Sequence, residues 1–287
     1  MTNNSIKLTI RGQSFEWCKR TYIMGVINVT PDSFSDGGQF NTLESATAQA
    51  QKMVENGVDI IDIGGQSTRP GADEITLEEE LNRVIPLLEI LRSSENICAT
   101  VPISVDTTRA AVAKAAIDAG ADIINDISAA TFDPEMLPTA AKLGVPIILM
   151  HIRGTPQTMQ KLTDYQDLIG EIYQFLESRV EAAIATGINK FNIIIDPGIG
   201  FAKTYNQNLK ILRELPKFHS LGCPILVGVS RKSFIGHILN QPDPQQRIWG
   251  TAAACTSAIA RGADILRVHD VKEMRDVCQV ADAIFRR

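Results

Sequence analysis

The sequence has few cysteines, and their spacing suits neither a metal site nor a disulfide framework. The five, an odd number, are Cys18, Cys98, Cys223, Cys255 and Cys278. They form no C-x-x-C pair and no cysteine–histidine cluster of zinc-site spacing, so reduced thiols in a reducing compartment are expected. A secretory signal is missing, and so is any apolar run of the ~20 residues that a membrane span needs. We therefore predict a soluble, cytoplasmic protein without a membrane partner.

Runs of like charge are absent as well. Lys and Arg number 28 against 33 Asp and Glu, which gives a formal net charge of -5. Without a basic cluster, a nucleic-acid partner is not expected. The 287 residues, 44% of them hydrophobic, can bury the core of one large domain or of two small ones. The order of the secondary-structure elements must decide between these two possibilities.

The chain begins with a predicted hairpin and continues as alternating strands and helices. Residues 6–19 alternate apolar and polar side chains around Arg11-Gly12-Gln13, which predicts a short β-hairpin within residues 1–20 that caps the floor of the fold. Short apolar runs rich in Ile and Val then alternate with segments of helical periodicity. The predicted strands are 22–29, 58–63, 102–105, 123–127, 146–150, 192–195, 224–229 and 265–268. The predicted helices are 43–56, 77–92, 108–119, 134–143, 165–186, 206–216, 244–260 and 271–285.

Eight such units are the number that closes a (β/α)8 TIM barrel. The predicted fold is therefore α/β, a single barrel domain over residues 1–287. The main alternative is a doubly wound open sheet. That fold would carry a Gly-rich phosphate turn after its first strand, where this chain has Asn28-Val29-Thr30-Pro31.

Polar residues follow or end all eight predicted strands. In a barrel these ends share one face, which is the face where catalytic residues of such folds lie. One Asp or Asn at a strand end more often caps a helix or satisfies a loop, but eight polar ends together favour a binding site. We expect one group to face a flat heterocycle: Asp106, Asn125, Asp196 and Lys232. A second group is expected to form a corner for an anion or a metal: Asn28, Arg267 and His269.

Seven segments resemble the dihydropteroate synthase family. They are MGVINVTPDSFSDGG (24–38), DIIDIGGQSTRPGADEI (59–75), ISVDTTR (103–109), INDIS (124–128), IIDPGIGF (194–201), VGVSRKSFIG (227–236) and LRVHDV (266–271). The resemblance implies a folate-pathway transferase with a pterin-binding TIM barrel. Such an enzyme condenses 6-hydroxymethyl-7,8-dihydropterin diphosphate with p-aminobenzoate, assisted by Mg²⁺, to give 7,8-dihydropteroate and diphosphate. It also implies sulfonamide inhibitors and a homodimer formed through the last helices.

The resemblance assigns residues to each part of the reaction. The pterin set is Asp106, Asn125, Met150, Asp196, Phe201, Gly228 and Lys232. The diphosphate set is Asn28, Arg69, Arg267 and His269, with Asn28 also a ligand of Mg²⁺. The p-aminobenzoate set is Phe34, Thr68, Arg69, Pro70 and Ser233. The catalytic set is Asp36, Lys232, Arg267 and His269, with Asp36 stabilising a pterin-methyl cation after early, SN1-like departure of diphosphate.

Two other functions remain open from the sequence. A pterin-dependent methyltransferase would also offer Asp and Asn side chains to a pterin, but it should lack the Ser67-Thr68-Arg69-Pro70 loop and the Ser230-Arg231-Lys232 run. A catalytically silent pterin-binding homologue would keep the fold and lose loop residues. Residues of all three expected subsites are present, including Asp36, Arg69 and Lys232. Release of diphosphate from the pterin diphosphate and p-aminobenzoate, together with the result of a methylfolate assay, would separate the three functions.

Overall fold

Eight parallel strands form the closed wall of a barrel in a computed structural model that describes residues 7–29 and 39–286, with side chains of the second range described from residue 43. The barrel strands are β3 (Tyr22–Asn28), β4 (Ile60–Gly64), β5 (Ile103–Asp106), β6 (Ile123–Asp126), β7 (Ile147–Met150), β8 (Ile193–Asp196), β9 (Leu226–Val227) and β10 (Ile265–Val268). They pair in the order β8-β7-β6-β5-β4-β3-β10-β9. A parallel bridge between Ile195 and Ile225 joins the two ends. The predicted (β/α)8 barrel is confirmed, and the open sheet is excluded.

The helices follow the strands on the outside of the barrel. They are α1 (Gln39–Glu55), α2 (Leu77–Arg92), α3 (Ala110–Asp118), α4 (Met136–Leu143), α5 (Leu168–Ala185), α6 (Tyr205–Glu214), α7 (Ser233–Leu239), α8 (Ile248–Ile259) and α9 (Val271–Phe285). The predicted helix 244–260 begins later than expected, because Pro244–Arg247 forms a 3-10 turn ahead of α8. The short α7 lies between β9 and α8 and carries the Ser233 side chain at its first turn.

The hairpin closes the floor of the barrel. Strands β1 (Lys7–Ile10) and β2 (Gln13–Glu16) pair antiparallel across a two-residue turn, Arg11-Gly12, in which both residues have positive φ. That is the geometry that suits a tight hairpin. Phe15 and Trp17 pack in one buried cluster with Tyr22 and with apolar residues inside the strand starts. The predicted β-hairpin is therefore confirmed, and its aromatic side chains pack against the strand starts.

On several strands the side chains inside the barrel change from apolar to polar along the strand. Because strand residues two apart share a face, Ile60 and Asp62 both point inward, and so do Ile194 and Asp196. The lower member of each pair lies in the floor cluster with the hairpin, and the upper member lies nearer the strand's carboxyl end. This alternation places a polar cavity directly above an apolar plug.

Within residues 7–29 and 39–286, none of the helices is long and apolar enough to cross a membrane.

Candidate active site at the barrel mouth

A half-buried arginine organises the centre of the barrel mouth. Arg267, on β10, donates from Nε to Asp62 Oδ2 at 2.6 Å and from Nη2 to Asp106 Oδ2 at 2.7 Å. The two carboxylates come from neighbouring strands, and Asp62 is fully buried while Asp106 is 5% exposed. Burial opposes the charge of Arg267, but both carboxylates raise its pKa above the ordinary value. The result is a paired charge cluster, which is how an interior can hold ionised groups.

Burial disfavours the charged form of Asp106 as it does that of Arg267, but for a carboxyl group this raises the pKa. Burial raises the pKa of Asp106 above its ordinary value, and the adjacent Arg267 lowers it in part. Nearby carboxylates, Asp62 first among them, raise it further. Asp106 therefore depends on Arg267 to remain ionised.

Asn125 and Asp196 extend the polar cluster around the mouth. Asn125, on β6, donates from Nδ2 to both oxygens of Asp62, at 3.3 and 3.2 Å. Asp196 ends β8, and one of its oxygens accepts from the Gly198 backbone N–H at 2.7 Å. Burial raises the pKa of Asp196 to about 6. Because this value lies below neutral pH, Asp196 is mostly ionised there, and its second oxygen can accept a hydrogen bond from a ligand.

Lys232 supplies a second cation opposite Asp196. Its Nζ lies 4.3 Å from the centroid of the Phe201 ring. Burial, followed by repulsion from Arg267, lowers the pKa of Lys232 to about 8, against the attraction of Asp196 and Asp106. The ammonium is thus charged at neutral pH but held in an environment that disfavours the charge.

A strained turn positions Lys232. The preceding residue, Arg231, has φ +59°, a left-handed conformation that few non-glycine residues adopt. Arg231 is fixed there by its backbone N–H, which donates to Thr251 Oγ1 at 3.1 Å, and by a fork of hydrogen bonds from its guanidinium to Asp270. Side chains on α8 and after β10 therefore hold the turn that presents Lys232.

The expected wall residues lie together. Met150 and Phe201 share a buried apolar cluster with Ile127 and Met159. Gly228 lies on the inside of β9's end, where an added Cβ would come 3.8 Å from Arg267 Cβ, an ordinary contact. One apolar wall, which includes the Phe201 ring, thus lies beside the polar cluster, an arrangement that suits a heterocycle site.

The rim residues occupy the ends of two adjacent strands. Asn28 is the last residue of β3 and is half-buried, on the interior register shared with Met24. His269 follows β10, and its Nδ1 lies 3.1 Å from Ser230 Oγ. Burial, followed by repulsion from Arg231 and Arg267, lowers the pKa of His269 to about 3, so the ring is neutral at neutral pH.

The loops of the predicted p-aminobenzoate site are only partly described. Thr68 is half-buried, whereas Arg69, Pro70 and Ser233 are exposed. Thr68 and Asp106 both line a cavity of about 400 Å³. Phe34 and Asp36 lie outside the described residues.

The sequence reasoning missed two charged residues of this site. Asp62 lies inside an apolar run, and its signal was its position two residues after the inward-facing Ile60. Lys203, 4% exposed, lies in the loop after β8, and its Nζ contacts His151 Nδ1 at 3.0 Å and the Phe201 carbonyl at 2.7 Å. Nothing in the periodicity marks a loop lysine as buried.

Of the two missed residues, Lys203 lies near Asp196 and contacts His151, which forms part of one wall of the site. Burial lowers the pKa of Lys203 well below its ordinary value, and Asp196 opposes that shift. His151, 2% exposed, packs edge-on against Phe175, and burial lowers its pKa to about 2. His151 is therefore a neutral wall residue. Around this mouth the carboxyl groups of Asp62, Asp106 and Asp196 lie near the basic side chains of Lys203, Lys232 and Arg267.

Comparisons with known proteins agree with this geometry. The family model described as "Pterin binding enzyme" matches residues 24–269. A dihydropteroate synthase of Synechocystis sp. is 61% identical over 272 residues, covering 95% of this chain and 93% of the relative. Two solved structures are similar over most of both chains.

The first of these is the Xanthomonas albilineans dihydropteroate synthase with 4-aminobenzoic acid, which is 43% identical with a TM-score of 0.90 and covers 98% of each chain. The second is the Yersinia pestis dihydropteroate synthase in a sulfonamide drug complex, which is 44% identical with a TM-score of 0.88 and covers 97% of this chain and 98% of that one. The chain therefore belongs to the dihydropteroate synthase family of pterin-binding enzymes.

Proposed function

We propose that the polar cluster at the barrel mouth binds the pterin ring in the reaction of this family. The chain condenses 6-hydroxymethyl-7,8-dihydropterin diphosphate with p-aminobenzoate to give 7,8-dihydropteroate and diphosphate. The observation that carries the site assignment is the convergence of Asp106, Asn125, Asp196 and Lys232 around Arg267, beside the apolar cluster that contains Met150 and Phe201. Four strands and one loop contribute to this cluster.

The ring edge of a pterin fits these side chains. Its amino-pyrimidinone edge presents two parallel donors, the 2-amino group and a ring N–H, which a carboxylate such as Asp196 can accept together. Asn125 offers one donor and one acceptor beside it. Lys232 can donate to the ring carbonyl or to N5, and its charge offsets that of Asp196.

The diphosphate is assigned to the rim, above the ring site. Arg267 uses Nε and Nη2 on Asp62 and Asp106, and among the described residues its Nη1 has no protein acceptor. That amine can donate to a phosphate oxygen, while the neutral His269 ring and the Asn28 amide add donors. Arg69, on the exposed loop after β4, is assigned to the same anion.

Mg²⁺ fits this corner as an ion that protein and substrate oxygens would coordinate together. Among the described residues, no three carboxylate, histidine or cysteine side chains lie close enough to hold a metal ion by themselves. Magnesium accepts one or two protein oxygens when phosphate oxygens and water complete its shell, so the Asn28 amide oxygen is a sufficient protein ligand. When bound, the ion would neutralise charge that develops on the departing diphosphate.

Catalysis is proposed to rest on charge placement rather than on a protein nucleophile. The C–O bond to diphosphate breaks first, with the electron pair leaving on the diphosphate. The electron-rich dihydropterin stabilises the resulting methyl cation, assisted by the Asp36 carboxylate. The arylamine nitrogen then forms the new C–N bond and loses a proton. Lys232, Arg267 and His269 hold ring and leaving group in place throughout.

The p-aminobenzoate site is assigned to the two loops at the mouth. Phe34, Thr68, Arg69 and Pro70 are proposed to surround its ring and amino end, and Ser233 its carboxylate. The 4-aminobenzoic acid complex of the Xanthomonas relative supports this class of substrate, and the Yersinia sulfonamide complex supports sulfonamides as inhibitors of the same site.

A substitution at Pro70 tests this loop assignment. Pro70→Gly should weaken sulfonamide binding about tenfold, because a contact surface and a rigid turn are both lost, with pterin affinity within about twofold. Calorimetric titration of the same preparation with each ligand measures both affinities. Equal losses of the two affinities would contradict the assignment.

Two variants separate ring binding from bond breaking. Lys232→Ala should weaken binding of the pterin diphosphate about a hundredfold, because a charged donor is lost and Asp196 is left less compensated. Asp36→Ala should instead slow turnover about a hundredfold with pterin affinity nearly unchanged, because it acts on the cation. Calorimetry and diphosphate release measure the two quantities. Unchanged pterin affinity in Lys232→Ala would show that the pocket is misassigned.

The quaternary state and the location of the protein are further proposals. Trp249 on α8 is 81% exposed, and Val280 and Ile284 on the adjacent α9 are 62% and 59% exposed, which supports a homodimer through these helices. Sedimentation of Trp249→Glu against the unchanged chain would test it.

A cytoplasmic location is supported by the four buried cysteines, whose pKa values burial raises, since such thiols need no oxidising environment. We also propose that the hairpin and barrel fold as one domain.

A further inference from the structure

Both ends of the loop between β4 and α2, here called loop 2 (residues 65–76), are held by arginines. At its start, the Gly65 carbonyl accepts from Arg83 Nη1 at 2.9 Å. At its end, the Ile75 carbonyl accepts from Arg109 Nη2 at 2.6 Å. Arg83 belongs to α2, which the loop itself leads into, whereas Arg109 follows the barrel strand β5. Of these two contacts, only that of Arg109 joins loop 2 to a segment that directly follows another barrel strand.

Arg109 is itself fixed by a buried carboxylate. Its Nη1 donates to Glu80 Oε2 at 2.6 Å, and the other oxygen, Oε1, accepts from Thr107 Oγ1 at 2.6 Å. Glu80 is 2% exposed, and Thr107 is 4% exposed. Both oxygens of the carboxylate are thus used, which a buried charge requires. The guanidinium is held as a rigid fork, with one amine on Glu80 and the other on the loop.

This fork lies beside Asp106, a residue of the proposed pterin site, on the wall of the same cavity. Thr107 directly follows Asp106, whose carboxylate accepts from Arg267. Arg109 has no hydrogen bond to Asp106 or Arg267 among the described contacts. A continuous set of contacts therefore runs from the strand that holds the ring to the loop that carries Thr68, Arg69 and Pro70.

The middle of loop 2 is held by a single backbone hydrogen bond to another loop. The Gly71 N–H donates to the Pro156 carbonyl at 3.1 Å, and Gly71 has φ +78°. Beneath it lies the cavity of about 400 Å³, which Thr68, Asp106 and Arg109 line together with Pro156. The position of loop 2 at this cavity thus depends on this hydrogen bond and on the contacts at its two ends.

We propose that Arg109 is a positioning residue for the second substrate: it sets the place of loop 2, and through it the affinity for p-aminobenzoate. The proposal rests on the assignment of Thr68, Arg69 and Pro70 to that substrate. Because Arg109 acts through the loop, its replacement should change the Michaelis constant for p-aminobenzoate and leave pterin binding intact.

The deciding variant is Arg109→Lys, which keeps the positive charge and removes the two-pronged hydrogen bonding of the guanidinium. A lysine at this position in Arg109→Lys can still neutralise Glu80, so the electrostatic environment of Asp106 is preserved. Its single ammonium cannot satisfy Glu80 and the Ile75 carbonyl in the fork geometry. We expect the Michaelis constant for p-aminobenzoate to rise about tenfold and kcat to stay within about twofold.

Two further measurements exclude a general loss of structure. Pterin diphosphate affinity, measured by calorimetry without p-aminobenzoate, should stay within about twofold. Cleavage after the exposed Glu74 by a glutamyl endopeptidase should become faster, since the adjacent Ile75 is no longer held. Lys114→Met is the matched control, because it removes an exposed ion pair with Asp118 on α3 and should change neither constant.

The outcomes separate this proposal from the loop assignment. If Pro70→Gly raises the Michaelis constant for p-aminobenzoate and Arg109→Lys does not, Arg109 is not a positioning residue and the loop assignment stands. If neither variant changes it, the loop assignment fails and the proposal fails with it. Equal losses of pterin and p-aminobenzoate affinity in Arg109→Lys would also overturn the proposal, and Arg109→Gln provides a second, uncharged test of the same contact.

Discussion

The floor and the mouth of the barrel are built by the same strands and differ by one step of the strand repeat. On β4, Ile60 joins the apolar plug and Asp62 joins the charge cluster, and Ile194 and Asp196 repeat the pattern on β8. The floor residues contact aromatic side chains of the hairpin, whereas the mouth residues contact other charges. Stability and binding are thereby assigned to separate layers of one wall. Substitutions in the two layers should have separable effects.

The largest expected effect is on the floor. Phe15→Ala removes a side chain that is 1% exposed and packs on Trp17 and Tyr22, so the free energy of unfolding should fall by about 3–5 kcal/mol. The protein that remains folded should bind the pterin diphosphate with unchanged affinity. Denaturant unfolding and calorimetry measure the two quantities. A loss of pterin affinity in the folded fraction would break the separation of the layers.

An intermediate effect is expected at the mouth. Asp62→Asn keeps the shape but removes a charge that Arg267 and Asn125 both use. Affinity for the pterin diphosphate should fall about tenfold, because Arg267 and Asn125 lose the anchor that orients them. The free energy of unfolding should change less than in Phe15→Ala. If Asp62→Asn instead destabilised the chain and left pterin affinity intact, Asp62 would belong with the floor.

The smallest effect is a pH dependence that only the mouth should show. The pKa of Asp196 is raised to about 6, so its acceptor carboxylate is lost as pH falls through that value. The pKa of Lys232 is lowered to about 8, so its charge is lost as pH rises through that value. Burial also raises the pKa of Asp106, in the same site, to about 7. The ratio kcat/KM for the pterin diphosphate should therefore be bell-shaped, with an acid limb between about pH 6 and 7 and an alkaline limb near pH 8. Lys232→Arg, which stays protonated, should remove the alkaline limb, and a limb that persists there would assign it to another group.

The sequence predicted the barrel and most of the mouth for a physical reason. Parallel strands bury both faces, so they read as apolar runs, and a polar residue at the end of such a run is conspicuous. Asp106, Asn125 and Asp196 were found in this way. The order of eight runs then required the ends to meet on one face.

The same reasoning missed residues whose role depends on three-dimensional contacts. Asp62 sits within an apolar run, where an inward position can be recognised only after the register is known. Lys203 and Glu80 become significant through partners far along the chain, namely His151 and Arg109. Periodicity carries no information about such pairs. The loop that holds Phe34 and Asp36 lies outside the described residues, and its predicted roles stay predictions.

The seam of the barrel has a consequence for how ligands act on the fold. Strands β8 and β9 meet through one bridge, Ile195 to Ile225, and β9 is only two residues long. Asp196 lies on one side of this join, and Lys232 follows the strand on the other. A pterin ring that binds both side chains would link the two strands at the point where the barrel has the fewest strand-to-strand hydrogen bonds. We therefore expect amide hydrogens at this join to be the ones whose exchange the pterin slows most.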